Sequence, residues 1–370
     1  MNLYRLTRYL PILPAVYVFF FARRILHFVR LNVNTWYGFL LSLIPAVVVY
    51  LLSGSIFSMG FVTVMYFTGI SVLFDLAVWI IRKLFSGRME SKPYQVISEL
   101  QRSGVVPIVV TVLVLLYGYL NFRTIIRTEY DIETRKEVGD WKIVLLTDTH
   151  YDAWQPKEVL GKAVEQISVM KPDLVILGGD IVEDGTSKDS MEEVFELLGN
   201  MDSRYGVYYV YGNHDKTHYM GRRDYSVEDL QNAIMTNGIT ILQDETVEID
   251  GKITLAGRDD AAWGNTSDRM DVSTLLSESD KDTYTIVADH QPIEYEECAA
   301  AGADLQVSGH THAGQIWPVG LLTEMTGNLN YGLYHENNLD VIVSSGAAGW
   351  GYPIRTGKHC EYVVINISQI

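Results

Sequence analysis

Residues 142–150 read KIVLLTDTH. Four consecutive apolar residues, Ile143–Leu146, lead into Thr147, and Asp148-Thr149-His150 follows at once. A short continuous apolar run predicts a strand buried on both faces, the usual state of a parallel sheet covered by helices. The figure recurs. Leu174–Leu177 runs into Gly178-Gly179-Asp180, and Val207–Val210 into Tyr211-Gly212-Asn213-His214-Asp215. Tyr284–Ala288 runs into Asp289-His290, and Leu305–Val307 into Ser308-Gly309-His310-Thr311-His312.

Between these runs the period changes. Lys157–Met170 places Val159, Leu160, Ala163, Ile167 and Met170 on one helical face. Ser190–Leu198 and Val227–Met235 read as further helices, Ile241–Leu255 as short strands turning at Asp250-Gly251. Val341–Val343 and Tyr362–Ile367 complete the strands. The alternation predicts an α/β domain with at least one mostly parallel sheet, whose ligands gather at the carboxyl ends of the strands.

A single such strand exit carries no information. Asp148 and Asp180 serve equally as helix caps, Asn213 as a left-handed turn residue, His290 as a helix start and His214 as a partner for Asp215. Five exits in register are not explained by turn propensity. Asp, Asn and His suit borderline divalent ions such as Mn²⁺, Fe²⁺, Co²⁺ or Zn²⁺. Cys298 and Cys360 lack metal or redox spacing and read as packed or free thiols. Seven ligand candidates are too many for one tetrahedral ion and suit two. Gly178, Gly179, Gly212 and Gly309 let the backbone approach the ions closely.

Charge divides the chain. Residues 1–127 hold 12 Lys/Arg against 3 Asp/Glu, and residues 128–370 hold 17 against 42, formal charges of +9 and −25. So acidic a body repels phosphate backbones, and no nucleic-acid partner is expected. The basic third contains the apolar runs Trp36–Leu52, Ile56–Ile81 (one charge, Asp75) and Val105–Leu120, extending to Phe122, each near the roughly 20 residues that cross a bilayer. Tyr9–Ala22 is shorter, ends at Arg23-Arg24, and either spans or lies at the interface. Residues 1–127 are therefore expected to be a transmembrane anchor of three or four helices, and 128–370 the functional domain. Arg82, Lys83, Arg88, Lys92 and Arg102 place the 82–104 loop in the cytoplasm, as Arg23, Arg24 and Arg30 place 23–35. The uncharged Ser53–Ser55 turn and everything after about residue 123 then lie outside, although Arg5, Arg8, Arg123 and Arg127 run partly against this. The chain is thus expected to be a multi-pass cell-membrane protein with an extracytoplasmic domain. Asp75 reads as an interfacial carboxylate neutralised by Arg82 or water, or as a functional intramembrane acid.

Asp148-x-His150, Gly179-Asp180, Gly212-Asn213-His214-Asp215, His290 and Gly309-His310-Thr311-His312, in this order, resemble the calcineurin-like metallophosphoesterase family across about residues 140–365. Ser345-Gly346, Trp350–Arg355 and the helical region ahead of the domain resemble its membrane-bound bacterial branch. The resemblance implies a four-layer α/β/β/α sandwich preceded by an α-helical transmembrane region. It also implies two divalent ions: Asp148, His150 and His312 on one, Asn213, His290 and His310 on the other, Asp180 bridging them. His214 would be the acid facing the leaving group. Tyr151-Asp152 departs from the apolar residue and glycine of many relatives, at the pocket rim.

The activity implied is hydrolysis of a phosphate ester or pyrophosphate by a two-metal, bridging-hydroxide mechanism. The substrate is a phosphate-containing small molecule or lipid, by analogy with the membrane branch a cell-envelope molecule such as a UDP-diacylglucosamine-like lipid. The competing reading is a non-catalytic metal-binding membrane sensor; the intact ligand set and His214 speak against it. Glu183 and Asp184 read as supporting or solvated residues, His218, His335 and His359 as surface or rim residues, and Arg258 and Arg355 as possible phosphate contacts. Native metals and oligomeric state are left open.

Overall fold

A computed structural model describes residues 9, 11–56, 58–85, 91–216, 223–261, 266 and 268–370. The chain divides into two compact units, Met1–Tyr117 and Gly118–Ile370.

The first unit is helical: α1 (Ile12–Phe28), α2 (Trp36–Leu52), α3 (Met59–Leu84), α4 (Lys92–Ser103) and most of α5 (Val105–Phe122). Two of these, α3 and α5, are long and apolar enough to cross a membrane, and α2 is an apolar helix of 17 residues. The first segment does not stop at Arg23-Arg24. Helix α1 continues to Phe28, because Arg24 is paired: its Nη1 donates to both carboxylate oxygens of Asp75 on α3 at 2.6 and 2.8 Å. Tyr17 Oη and Gln101 Nε2 also donate to Asp75, at 2.8 and 2.9 Å. Its neutralising partner is therefore Arg24. Arg82 turns to Gln101 and Ser98 instead. Arg5, Arg8, Arg88 and His218 lie outside the described residues.

The second unit is built on two six-stranded sheets. The first is ordered β1 (Ile125–Thr134), β12 (Cys360–Gln369), β2 (Trp141–Leu146), β3 (Leu174–Leu177), β4 (Val207–Tyr209), β5 (Ile239–Ile241). The second is ordered β10 (Gly332–Glu336), β11 (Leu339–Val343), β9 (Leu305–Ser308), β8 (Tyr284–Ala288), β7 (Ile253–Gly257), β6 (Glu245–Ile249). β2 through β5 run parallel, as do β7, β8, β9 and β11.

The period of two sorts each strand between two cores. From β2 and β3, Val144, Leu146, Val175 and Leu177 face α6 (Lys157–Met170), α7 (Lys188–Gly199) and α8 (Val227–Thr236). Their neighbours Ile143, Leu145, Leu174 and Ile176 face the other sheet and meet Ile253, Leu255, Ile286, Leu305 and Ile342. On the far side Val287, Val341 and Val343 pack on Val272 and on Cys298 and Ala299 of α9 (Tyr295–Ala301). The result is the expected α/β/β/α layering, and it explains why the strands read as unbroken apolar runs.

Two strands were not legible as runs. β1 alternates charged with apolar residues because it is an edge strand, and β10 is an edge strand of half-buried residues. The Asp250-Gly251 turn joins β6 to β7, with both residues at positive φ (56° and 63°). Cys298 and Cys360 are free and buried.

Candidate metal centre

Every predicted site residue of the second unit lies at or just beyond the carboxyl end of a strand: Asp148 and His150 after β2, Asp180 after β3, Asn213 and His214 in the helical turn after β4, His290 after β8, and His310 and His312 after β9. Parallel strands bring those ends to one edge of each sheet, and the stacked sheets bring the two edges together.

Three sets of side chains converge, the ligand atoms within each set lying within 4.8 Å of one another. One is Asp148, His150 and His312; another is Asp180, His290 and His310. The third joins His150 to Glu183 and His214. Asp180 stands between the first two sets: its Oδ2 is 3.1 Å from His290 Nε2 and 3.9 Å from His150 Nε2. His312 Nε2 is 3.7 Å from Asp148 Oδ1. Asn213 Oδ1 lies 2.9 Å from His310 Nδ1.

The loops are fixed by backbone hydrogen bonds. Asp215 is fully buried, and its carboxylate accepts from the N–H groups of Asp180 (2.8 Å), Ile181 (3.0 Å), Val182 (3.1 Å) and Gly212 (2.7 Å). It thus ties the exit of β3 to that of β4 and serves the loops rather than the His214 ring. The His214 N–H donates to Asp180 Oδ1 at 2.7 Å. Thr147 Oγ1 and the His310 N–H donate to Asp148 at 2.8 and 3.1 Å. Close approach dictates two glycines. A Cβ on Gly212 would stand 2.2 Å from Asp180 Oδ1, and one on Gly309 2.2 Å from Asp148 Oδ2.

The candidate ligand residues carry backbone strain. Asp148 (φ 54°), His150 (38°), Asp180 (51°), His310 (68°) and His312 (50°) are all left-handed, a region that costs a non-glycine residue about 1–2 kcal/mol. Asp152 is left-handed too (φ 63°), a conformation that favours glycine. Here Asp152 instead accepts from Ser190 Oγ at 2.6 Å, while Tyr151 is buried in the helical-side core.

Several polar atoms are unsatisfied. Both ring nitrogens of His150, together with His290 Nε2 and His312 Nδ1, are buried and meet no hydrogen bond of acceptable geometry. Such groups require an explanation. His150 Nε2 and His290 Nε2 converge on Asp180 Oδ2, and His312 Nε2 approaches Asp148 Oδ1; nitrogen and oxygen donors without thiolates match a borderline divalent cation. The residues present therefore fit a metal. A hydrogen bond orients one ring, His290 Nδ1 lying 2.8 Å from the Gly178 carbonyl, and an ion-pair contact faces the other, His150 Nδ1 lying 3.3 Å from Glu183 Oε2. Both leave Nε2 turned inward.

Electrostatics follow the same geometry. Burial acts to raise Asp180, yet the His290, His214 and His150 rings hold its carboxyl well below the usual range. Burial lowers His290, but Asp180 reverses this and holds it well above its ordinary value. Burial, reinforced by His150 and Arg355, drops His312 well below it. Burial pushes His214 down to about 4; Asp180 opposes and His150 adds to the fall. The His214 ring lies 5.1 Å from that of His150 and 5.5 Å from that of Trp350.

Two sequence readings are corrected. Arg258 and Arg355 do not present themselves to a phosphate. Their side chains are 1% and 0% exposed. Arg258 Nη2 donates to Glu294 and to the Met270 carbonyl, and Arg355 to the carbonyls of His312, Ser345 and Ala348. Arg355 thereby holds the His312 turn. The buried pair Arg269–Asp289 (2.9 Å), beside His290, left no sequence motif; its only signal is an Asp at a strand exit.

Residues 142–314 match the family model for calcineurin-like phosphoesterases. An uncharacterized metallophosphoesterase of Helicobacter pylori (strain J99) is 35% identical over 217 residues, 58% of this chain and 56% of that protein. A transmembrane protein with metallophosphoesterase domain from Bos taurus is 31% identical over 238 residues, 60% of this chain and 51% of that protein. An uncharacterized metallophosphoesterase of Bacillus subtilis is 28% identical over 267 residues, 68% of this chain and 90% of that protein. The chain thus spans little more than half the length of the first two relatives.

Proposed function

We propose that the chain, whose residues 142–314 match the calcineurin-like phosphoesterase model, is a membrane-anchored, metal-dependent hydrolase of phosphoesters. The observation that carries this is the pair of clusters meeting at Asp180: Asp148, His150 and His312 on one side, His290 and His310 on the other. In this reading the first set holds one divalent ion, His290 and His310 with Asn213 hold a second, and Asp180 serves both. When bound, such ions supply positive charge against phosphoryl oxygens and acidify water.

The chain's own residues do the rest. Glu183 and the Gly178 carbonyl hold His150 and His290 with Nε2 inward. Asp215 keeps the exits of β3 and β4 in register. His214 gives a proton to the departing oxygen. Its low pKa leaves it neutral in the free site, and an anionic phosphoester beside it favours the protonated ring. Locally bound cations also let a body of charge −25 accept an anionic substrate.

In this reading the helical residues ahead of β1, which begins at Ile125, are the multi-pass anchor and the residues from β1 onward the catalytic body, and the basic 82–104 segment supports an extracytoplasmic body. An anchor of this kind favours a lipid-linked or envelope phosphoester or pyrophosphate, a UDP-diacylglucosamine-like molecule being one candidate. The test is turnover by the full-length protein, in detergent with Mn²⁺ or Zn²⁺, of mono-, di- and pyrophosphate substrates, beside a count of bound ions. Two bound ions without hydrolysis of any ester would replace the enzyme with a sensor. Equal rates for wild type and Asp180→Asn would remove the mechanism.

A further inference from the structure

Beyond the end of α5, Arg123–Ile370 exposes ten large apolar side chains among the described residues. Five fall within nine positions: Trp317 (58% exposed), Val319 (47%), Leu321 (52%), Leu322 (56%) and Met325 (75%). The others are scattered singly, as is ordinary for a surface. The short helix Val319–Glu324 buries none of its residues. A water-soluble surface has no use for such a ridge.

The ridge is fixed rather than loose. Gly320 lies against the turn that follows His312, where a Cβ would stand 2.6 Å from the Ala313 carbonyl oxygen. The Trp317 N–H donates to Thr356 Oγ1 at 3.0 Å, and the Thr356 and Gly357 N–H groups donate to the Gln315 carbonyl at 3.0 and 2.9 Å. The other side of the 355–358 segment grips the last turn of α5. The Arg355 N–H donates to the Gly118 carbonyl at 2.9 Å, and Asn121 Nδ2 donates to the carbonyls of Arg355 (3.0 Å) and Lys358 (3.1 Å). One short segment therefore joins the ridge to the end of an apolar helix long enough to cross a membrane. At that end the Arg123 guanidinium lies over the Tyr119 ring at 3.5 Å, and the Lys358 ammonium 5.0 Å from the centre of the Tyr331 ring. Basic and aromatic side chains beside an apolar span mark headgroup level.

We propose that the Trp317–Met325 ridge inserts into the surface of the bilayer that α5 crosses, so that the site bordered by His312 draws its phosphoester from that surface. The occupant is lipid, and the argument is continuity with the membrane end of α5. The substrate half of the proposal rests on the phosphoesterase reading; the insertion does not.

Two measurements separate them. The full-length protein is reconstituted in vesicles of phosphatidylethanolamine and phosphatidylglycerol and carries a nitroxide at Leu321→Cys, Met325→Cys or the control Val169→Cys. Val169 is 77% exposed, and the native cysteines are buried. Insertion predicts high collision with oxygen and low collision with a water-soluble nickel chelate at 321 and 325, and the reverse at 169. Equal nickel access at 321 and 169 overturns the proposal. So does exclusion of both agents at 321, which indicates protein contact such as a second copy. The second measurement compares Leu321→Ser/Leu322→Ser with Leu321→Phe. The double serine variant is expected to keep its rate on a soluble nitrophenyl phosphoester and to lose roughly tenfold or more on a lipid phosphomonoester in the same vesicles, while the Phe variant keeps both. Equal loss on both substrates, or on neither, overturns the substrate half. Wild type inactive on both refutes the phosphoesterase reading and with it the substrate half, and leaves the insertion to the collision data.

Discussion

The two sheets bring different chemistry to one seam. The exits of β2, β3 and β4 carry the carboxylates and the amide, Asp148, Asp180 and Asn213, with the single imidazole of His150 among the ligand candidates. Among the ligand candidates, the exits of β8 and β9 carry imidazoles alone: His290, His310 and His312. They are braced differently as well. The acidic side is tied by N–H groups converging on Asp215, and the imidazole side by the buried Arg269–Asp289 pair and by Arg355 on the His312 carbonyl. Each of the two main clusters draws on both sheets. In the proposed reading both ions draw ligands from both sheets, so ion binding should report on the packing of the sandwich.

The sharpest way to break the comparison is at its midpoint. Asp180→Asn removes the charge that both proposed ions would share, and turnover is expected to fall by about 10³–10⁵-fold, several kcal/mol of charge stabilisation. Ion counting on the same sample should show loss of bound metal, which a purely catalytic defect would not produce.

His214 tests whether the acidic side supplies a proton as well as ligands. His214→Ala is expected to cost about 10²–10⁴-fold with bound metal unchanged, and least on esters whose leaving group needs no proton. The protonated ring is the active form, so wild-type rate falls as pH rises through its pKa. Burial sets that value low in the free site, and a bound anion raises it. The alkaline limb should therefore lie at higher pH in kcat than in kcat/KM, and should vanish in the alanine variant.

Glu183→Gln probes a ring support. Weakening the partner of His150 Nδ1 should cost about 10–100-fold in metal affinity, read by competition with a chelator, and leave the fold intact. The smallest change is a control away from the seam. Lys171 is left-handed (φ 47°) at the end of α6 and touches Asp202 only at the surface, with side chains 77% and 66% exposed. Lys171→Gly should raise thermal stability by about 1 kcal/mol and leave turnover alone.

The legible part of this molecule is the part buried on both sides. KIVLLTDTH announces β2 because Ile143 and Leu145 face one core while Val144 and Leu146 face another. β1 stayed hidden because one of its sides meets water. Asp148, Asp180 and His312 could be picked out because they stand at the ends of readable strands. Residues that hold the site through carbonyls and N–H groups leave no such trace. Arg355 reads as a phosphate contact until its burial is known, and Asp75 pairs with an arginine 51 positions away rather than with the nearby Arg82. Partners distant in sequence are chosen by packing, which periodicity does not encode.

At Asp148, Asp180 and His310 the chemistry demands a functional side chain, while the torsion angles demand none at all. Glycine would ease the chain there and remove the side chain that the proposed ions need. In the proposed reading, selection for turnover is what would keep those positions strained. A descendant released from that selection should drift toward glycine first at 148, 180 and 310, which gives a way to tell a retired homologue from a working one before any assay.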